Sequence, residues 1–282
     1  MQTITDFVPQ HEKLLCIDSD GTVIDAMNVK HRRCHGASFI EEWGLRDHAA
    51  EVQKAWDDIN LYERTRGENR FLALDDMLTR MEGVYVWSDM NERAGYRMWL
   101  RTGEHTNQSL AAEYERTGNP LLYKALCWSH AINDRINAVT TADKPPFAGV
   151  TDALNAALGK VDIAVISSSN MSALLEEWGA YDLLRFPSVI TSLEVGPKPA
   201  CIRALLAKGY APENVLMIGD AYPDADAAAQ TGVRFYPILT RHESESWAAF
   251  KATYLPLFLA GDYGKVQPKL LDRFAENFGQ RG

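Results

Sequence analysis

Short apolar runs ended by turn residues occupy the start and the second half of the chain, while a long middle segment carries only helical periodicity. Leu14-Leu15-Cys16-Ile17 runs straight into Asp18-Ser19-Asp20-Gly21-Thr22-Val23, which predicts a buried strand ending at Asp18. From Asn28 to about Ala142 the strand pattern is lost and Glu, Arg, Ala, Leu and Met dominate. Phe71, Leu74, Met77, Leu78 and Met81 fall at spacings of three and four, giving one apolar helix face. Asn107 or Ser109 is placed to cap the helix that carries Leu110 to Tyr114, and Gly118-Asn119-Pro120 stops it. Asp143-Lys144-Pro145-Pro146 then breaks the helical pattern and marks a boundary.

Beyond Phe147 the rhythm changes. Strands are expected over Val161–Ile166, Phe186–Ile190, Val215–Ile218 and Val233–Tyr236. Helices are expected over Thr151–Leu158, Met171–Trp178, from Pro199 through Ala207, and over Asp224–Gln230. Such alternation predicts an α/β fold, a doubly wound parallel sheet with helices on both faces. The domains expected are an α/β core of 1–27 and 143–282, including C-terminal helices over 244–282, and a separate all-helical domain of 28–142. Trp247, Phe250, Phe258 and Phe274 are expected to pack the tail onto the core.

The 282 residues are 46% apolar and 24% charged, enough to bury a substantial core. A net charge of -9 argues against nonspecific nucleic-acid binding, which needs Lys and Arg against phosphates. It also means that an anionic substrate must be drawn by local positive charge. Cys16, Cys34, Cys127 and Cys201 are scattered without a C-x-x-C pair, so neither a zinc knuckle nor a redox motif is indicated, and Cys16 reads as a core residue. Met1 to Lys13 has no apolar run of signal-peptide length and no later stretch would cross a bilayer, so a cytoplasmic protein without a membrane partner is expected.

The candidate chemistry sits at strand ends, where open parallel sheets bind ligands. Asp18 and Asp20 would repel each other unless a cation or a shared proton intervened; the alternative is a plain acidic turn. Val161–Ile166 runs into Ser167-Ser168-Ser169-Asn170, and hydroxyls with free amides at a helix start suit phosphate. One of these residues also has to cap the helix, with Ser169 or Asn170 placed to do so and Ser167 left for the ligand. Lys198, between Pro197 and Pro199 in a loop before a helix, has a restricted backbone that can aim its ammonium. Val215–Ile218 ends in Gly219-Asp220, with Asp220 at the position equivalent to Asp18 and Asp224 one helical turn later. Acids on adjacent strands can share a hard cation such as magnesium. Asp224 can instead be an N-terminal helix acid facing the dipole.

Taken in this order, Asp18-x-Asp20-Gly21-Thr22, the strand to Ser167, Lys198, and Gly219-Asp220-x-x-x-Asp224 resemble the haloacid dehalogenase superfamily of aspartyl-phosphate hydrolases. The resemblance covers Leu14 to Asp25 and Phe147 to about Pro237, and it implies a Rossmann-like core with a helical cap inserted after the first motif. Phe147-Ala148-Gly149-Val150 is similar to the return from that cap in the phosphoglycolate phosphatase and β-phosphoglucomutase branch. The resemblance further implies Asp18 as nucleophile, Asp20 as acid/base, Ser167 with Ser168 on the substrate phosphate, and Lys198 steadying charge on nucleophile and phosphate. It places Mg2+ on Asp18, the backbone carbonyl of Asp20, and Asp220. Asp224 is a second acidic contributor, through the metal's waters or by orienting Lys198.

The activity so implied is a magnesium-dependent phosphatase acting on a small phosphorylated metabolite. Phosphonoacetaldehyde hydrolases and haloacid dehalogenases lack an acid equivalent to Asp20, and both are disfavoured. β-Phosphoglucomutases carry a histidine where this chain has Lys30, with His31 beside it, which tilts the reading toward hydrolysis. A phosphosugar mutase and a low-turnover metabolite-binding protein stay as alternatives.

In the middle segment, Arg64-Thr65-Arg66-Gly67-Glu68-Asn69-Arg70-Phe71 is similar to a Gly-x-x-Arg loop that touches the far end of the substrate in the mutase branch, so Arg70 joins the substrate-binding candidates. A solvated, charge-rich helix start is the competing reading. His31 and His35 have a spacing that could bind metal, but no third ligand is evident and an ordinary helix surface is expected. Trp43, Trp56, Trp87, Trp99 and Trp128 are expected to form the core of this segment. The oligomeric state is left open.

Overall fold

The computed structural model describes residues 2–279. These residues form two compact units, one comprising Asn28–Thr140 and the other drawn from the chain on either side of it.

The second of these holds a parallel sheet of β1 (Leu14–Ile17), β2 (Asp162–Ile166), β3 (Val189–Thr191), β4 (Val215–Gly219) and β5 (Arg234–Pro237), in the order β3-β2-β1-β4-β5. Alternate side chains of a strand leave on opposite faces, and both faces are buried here. Leu15, Ile17, Ile163, Val165, Leu216 and Ile218 join the core beneath the helices Val150–Ala157 and Met171–Ala180. Leu14, Cys16, Ala164, Ile166, Val215 and Met217 join the opposite one, with the helices Lys198–Leu206 and Tyr222–Thr231. Burial on both faces is why these strands read as continuous apolar runs. The tail contributes to both cores, with Trp247, Phe250 and Phe258 in the first and Phe274 in the second.

Three local expectations are corrected. The strand expected over Phe186–Ile190 starts only at Val189, because Pro187 has no N–H for a ladder and Phe186 closes the turn Leu183–Arg185 instead. Lys198 is the first residue of a helix rather than a loop residue; Pro197 stands at the N-cap, and Pro199 falls within the first turn, where a missing N–H costs nothing. The helix Asn107–Thr117 is capped by neither Asn107 nor Ser109 but by Thr106, whose extended backbone lets Oγ1 accept from the Ser109 amide at 3.1 Å.

Where the chain leaves and re-enters the sheet unit its two crossings pair with each other. The Asp25 amide donates to the Pro145 carbonyl at 2.8 Å, and the Phe147 amide to the Val23 carbonyl at 2.9 Å. Tyr181 Oη donates to the Thr141 carbonyl at 2.6 Å, so the return begins at Thr141, ahead of the expected Asp143. Lys144 forms a buried ion pair with Glu177 at 2.5 Å.

The helical unit packs Trp56, Trp99 and Trp128 with Phe71, Leu74, Met77 and Leu78 in one core; Trp87, by contrast, is exposed. His31 and His35 do not lie on a helix surface. Both are buried in the π-helix Lys30–Gly36, with their Nδ1 atoms 3.3 Å apart and Trp56 Nε1 donating to His31 Nδ1 at 3.2 Å. Their spacing puts them on one face, and that face turns inward to the tryptophans. Among the described residues no helix is long and apolar enough to cross a membrane.

Candidate active site

In a sheet ordered β3-β2-β1-β4-β5 the chain proceeds outward on one side of β1 and then on the other, so the crevice at the carboxyl ends of β1 and β4 is a topological switch point. The turn after β1 opens there. Gly21 has φ +82°, a conformation that a side chain disfavours, and the Ser19 carbonyl collects the amides of Val23 at 2.8 Å and Ile24 at 2.9 Å. Two buried indoles fasten this turn from beneath. Trp178 Nε1 donates to Ser19 Oγ at 2.9 Å, and Trp247 Nε1 to the Thr22 carbonyl at 2.8 Å. With the backbone so held, Asp18 and Asp20 have fixed points of departure.

The register pairs Ile17 with Ile218, which continues to set Asp18 beside Gly219; Asp220 therefore lies one residue beyond the position equivalent to Asp18, not at it. The glycine is required by its neighbour. A Cβ at Gly219 would lie 2.3 Å from Asp224 Cγ, so only a bare Cα lets Asp224 fold back over the strand end. There Asp224 Oδ2 accepts from the Ala221 amide at 3.2 Å, while Oδ1 meets Lys198 Nζ at 2.5 Å. The same Nζ lies 2.7 Å from Asp18 Oδ1. Thr22 Oγ1 donates to Asp220 Oδ1 at 2.6 Å and joins the two strand ends a second time.

At the end of β2, Asn170 is the cap of Met171–Ala180, accepting from the Ala173 amide at 2.8 Å. Ser167 is buried, and its Oγ accepts from the Ser169 amide at 3.1 Å. Ser168 is exposed. Ser169, expected with Asn170 as a candidate cap, has a different partner: its Oγ donates to Asp20 Oδ2 at 2.9 Å.

The electrostatics follow from crowding. Asp18, Asp220 and Asp224 are 6%, 1% and 1% exposed, and each offers an oxygen within 4.8 Å of the others. Burial pushes the Asp18 carboxyl up to about 8 against the adjacent Lys198 ammonium, with Asp224 and Asp220 adding to the rise. Asp224 is raised for the same first reason, burial. Lys198, which burial alone would lower, is raised because Asp18 and Asp224 hold its proton. Three buried carboxylates whose oxygens converge in this way form an all-oxygen donor set that fits a hard divalent cation such as magnesium.

The model of the haloacid dehalogenase-like hydrolase family matches residues 12–232. The chain belongs to that family. No curated protein matches it in sequence. Solved structures do resemble it in fold. A haloacid dehalogenase-like hydrolase, so named, from Bacteroides fragilis is 18% identical, with 83% of this chain and 92% of its own covered at a TM-score of 0.50. A predicted phosphoglycolate phosphatase from Haemophilus somnus is 17% identical, with 82% and 87% covered at 0.44. A chain from Thermotoga maritima provisionally named β-phosphoglucomutase is 18% identical, with 80% and 84% covered at 0.42.

In this haloacid dehalogenase-like hydrolase the contacts among Asp18, Lys198, Asp220 and Asp224 all lie in the sheet unit, and Ser167 leaves the neighbouring strand end. Arg70 lies in the helical unit, where its Nη1 donates to Ser129 Oγ at 3.1 Å and to Asn133 Oδ1 at 2.8 Å. Arg66 is buried there and donates to the Leu61 carbonyl at 3.2 Å. The charge-rich stretch is thus partly spent on internal structure. Sequence reasoning missed Thr22, Ser169 and the two indoles. Thr22 and Ser169 both stood inside motifs that had been noticed, but a hydroxyl has no spacing rule that names its acceptor.

Proposed function

We propose that this hydrolase cleaves phosphate monoesters of small metabolites, with Mg2+, through an aspartyl-phosphate on Asp18. The observation that carries the reading is Lys198 Nζ held between Asp18 and Asp224, beside an acid cluster at the switch point of the sheet. Magnesium would be held by Asp18, Asp220 and the Asp20 carbonyl, and when bound it supplies positive charge that offsets repulsion between phosphate and attacking carboxylate. Asp224 has one oxygen on Lys198 and the other on the Ala221 amide, which favours its role in orienting the lysine over direct ligation.

In the first step an Asp18 oxygen attacks phosphorus, the bond from phosphorus to the ester oxygen breaks, and Asp20 gives its proton to the departing alkoxide. Lys198 accompanies the attacking carboxylate and steadies the phosphoryl oxygens as they gain charge. Ser167, whose Oγ accepts from the Ser169 amide, has its O–H to donate to a phosphoryl oxygen. In the second step Asp20 takes a proton from water, the oxygen of that water attacks phosphorus, and the bond to Asp18 breaks, which frees phosphate and leaves Asp18 a carboxylate and Asp20 protonated again.

The test is phosphate release from a panel of phosphorylated metabolites, with and without Mg2+, beside Asp18→Asn. Expected is Mg2+-dependent release that Asp18→Asn abolishes without unfolding the protein and that needs no bisphosphate activator. Release by Asp18→Asn at the parent rate overturns the mechanism, and strict dependence on a bisphosphate would turn the assignment to a mutase.

A further inference from the structure

We infer that Ser169 is the positioning residue for Asp20, restricting its carboxyl to the orientation from which a proton is handed to the leaving group. The inference rests on the phosphatase reading of the site and gives a task in it to a residue that the motifs left without one.

Ser169 stands in a cluster where its type suggests two other tasks, capping the following helix or binding phosphate. The first is taken, since Asn170 caps that helix through its own side chain. As for the second, the Ser169 hydroxyl is directed elsewhere, with Oγ 2.9 Å from Asp20 Oδ2. That direction is built into the backbone. The Ser169 amide donates to Ser167 Oγ at 3.1 Å, and its carbonyl accepts from the Leu193 amide at 3.0 Å, so both sides of the residue are fixed before its side chain is placed. Asp20 is held equally well at the other end. It bridges to Ile24 across the Gly21 turn, whose Ser19 carbonyl gathers successive amides. The hydrogen bond therefore joins two rigid loops, one from the end of β1 and one from the end of β2.

A carboxyl on a short side chain still has two torsions to lose. A general acid works only when its proton lies along the line to the leaving oxygen, and a misplacement of a fraction of an ångström is costly. Ser169 touches neither phosphorus nor the leaving group in this scheme and acts only through Asp20. Its effect must then depend on how much the leaving group needs a proton. An alkoxide is strongly basic and requires one; p-nitrophenolate is a weak base and departs without one. A serine that bound the phosphoryl group instead would serve both esters alike, since they share that group.

The discriminating measurement is kcat/KM, which extends only to departure of the leaving group and so excludes the second use of Asp20. It is taken for an alkyl phosphate turned over by the parent enzyme and for p-nitrophenyl phosphate, in Ser169→Ala, Ser169→Thr, Asp20→Asn and Ser169→Ala with Asp20→Asn. Expected is a loss of about tenfold on the alkyl ester in Ser169→Ala, the order of one lost positioning hydrogen bond, and less than about twofold on the aryl ester. Ser169→Thr, which keeps the hydroxyl, restores most of the alkyl activity, and adding Ser169→Ala to Asp20→Asn costs nothing more. Equal losses on both esters, or a further loss in the double variant, overturn the inference while leaving the phosphatase reading intact. Absence of phosphate release from every ester by the folded parent enzyme overturns that reading and the inference with it.

Discussion

Thr22 Oγ1 donates to Asp220 Oδ1 at 2.6 Å, so a residue within the turn after β1 fixes the acid that follows β4. Both residues are buried, and the contact holds one oxygen of a carboxylate crowded by Asp18 and Asp224. Thr22→Val keeps the shape and removes the donor. A hydrogen bond to a charged group is worth about 1.5 to 3 kcal/mol, so the Mg2+ concentration for half-maximal phosphate release should rise about tenfold or more. A metal titration of the variant that overlays the parent curve would show that Asp220 needs no such support.

Gly219→Ala should damage the site from behind. The added Cβ would enter the space of Asp224 Cγ, 2.3 Å away, and Asp224 is what holds Lys198 from its far side. Overpacking of this kind costs about 1 to 3 kcal/mol. Expected are a lowered urea midpoint and a kcat reduced at least as severely as by Asp224→Asn. An active, equally stable alanine variant would mean that the acid can move without consequence.

The pH dependence of stability without metal follows from Asp18. Its carboxyl holds a proton in the folded protein up to about pH 8, and in the unfolded chain only up to its ordinary 3.8. Between those values the folded state binds more protons than the unfolded one, so this group makes the unfolding free energy fall as pH rises. Urea midpoints in EDTA, measured near pH 5 and near pH 8, should therefore drop with pH more steeply in the parent than in Asp18→Asn. Parallel lines for the two proteins would remove Asp18 as the cause.

Lys144 and Glu177 supply a test away from the chemistry. They form an ion pair at 2.5 Å with side chains 7% and 1% exposed. Removing one partner from such a pair takes the opposing charge away from a buried one, at a cost of about 3 to 5 kcal/mol, whereas replacing both with apolar residues of similar size is close to neutral. Lys144→Met should be strongly destabilised in urea, and Lys144→Met with Glu177→Leu should recover most of the loss. Additive losses in the double variant would show that the two residues matter through other contacts.

The fold was legible wherever one local rule decided the outcome. Leu14 to Ile17 and Val215 to Ile218 are apolar at every position because both faces of the sheet are covered, and such runs announce themselves. Phe186 misled because it is apolar and aromatic, while Pro187 after it forbids ladder pairing until Val189. Thr106 was passed over for Asn107 and Ser109 because all three are capping types within one helical turn, and only the backbone turn chooses among them.

By itself the sequence determined that reactive side chains would follow strand ends, since a buried strand must finish in a turn and each turn here carries an acid, a hydroxyl or a lysine. It also determined the family, through the order of those ends. Tertiary structure alone decided which oxygen meets which donor: Ser169 on Asp20, Thr22 on Asp220, and Lys198 between Asp18 and Asp224. The physical reason is range. Strand and helix signals are set by neighbours a few residues apart, whereas these contacts join residues brought together only when the parallel sheet closes, and no local pattern encodes an angle between distant loops.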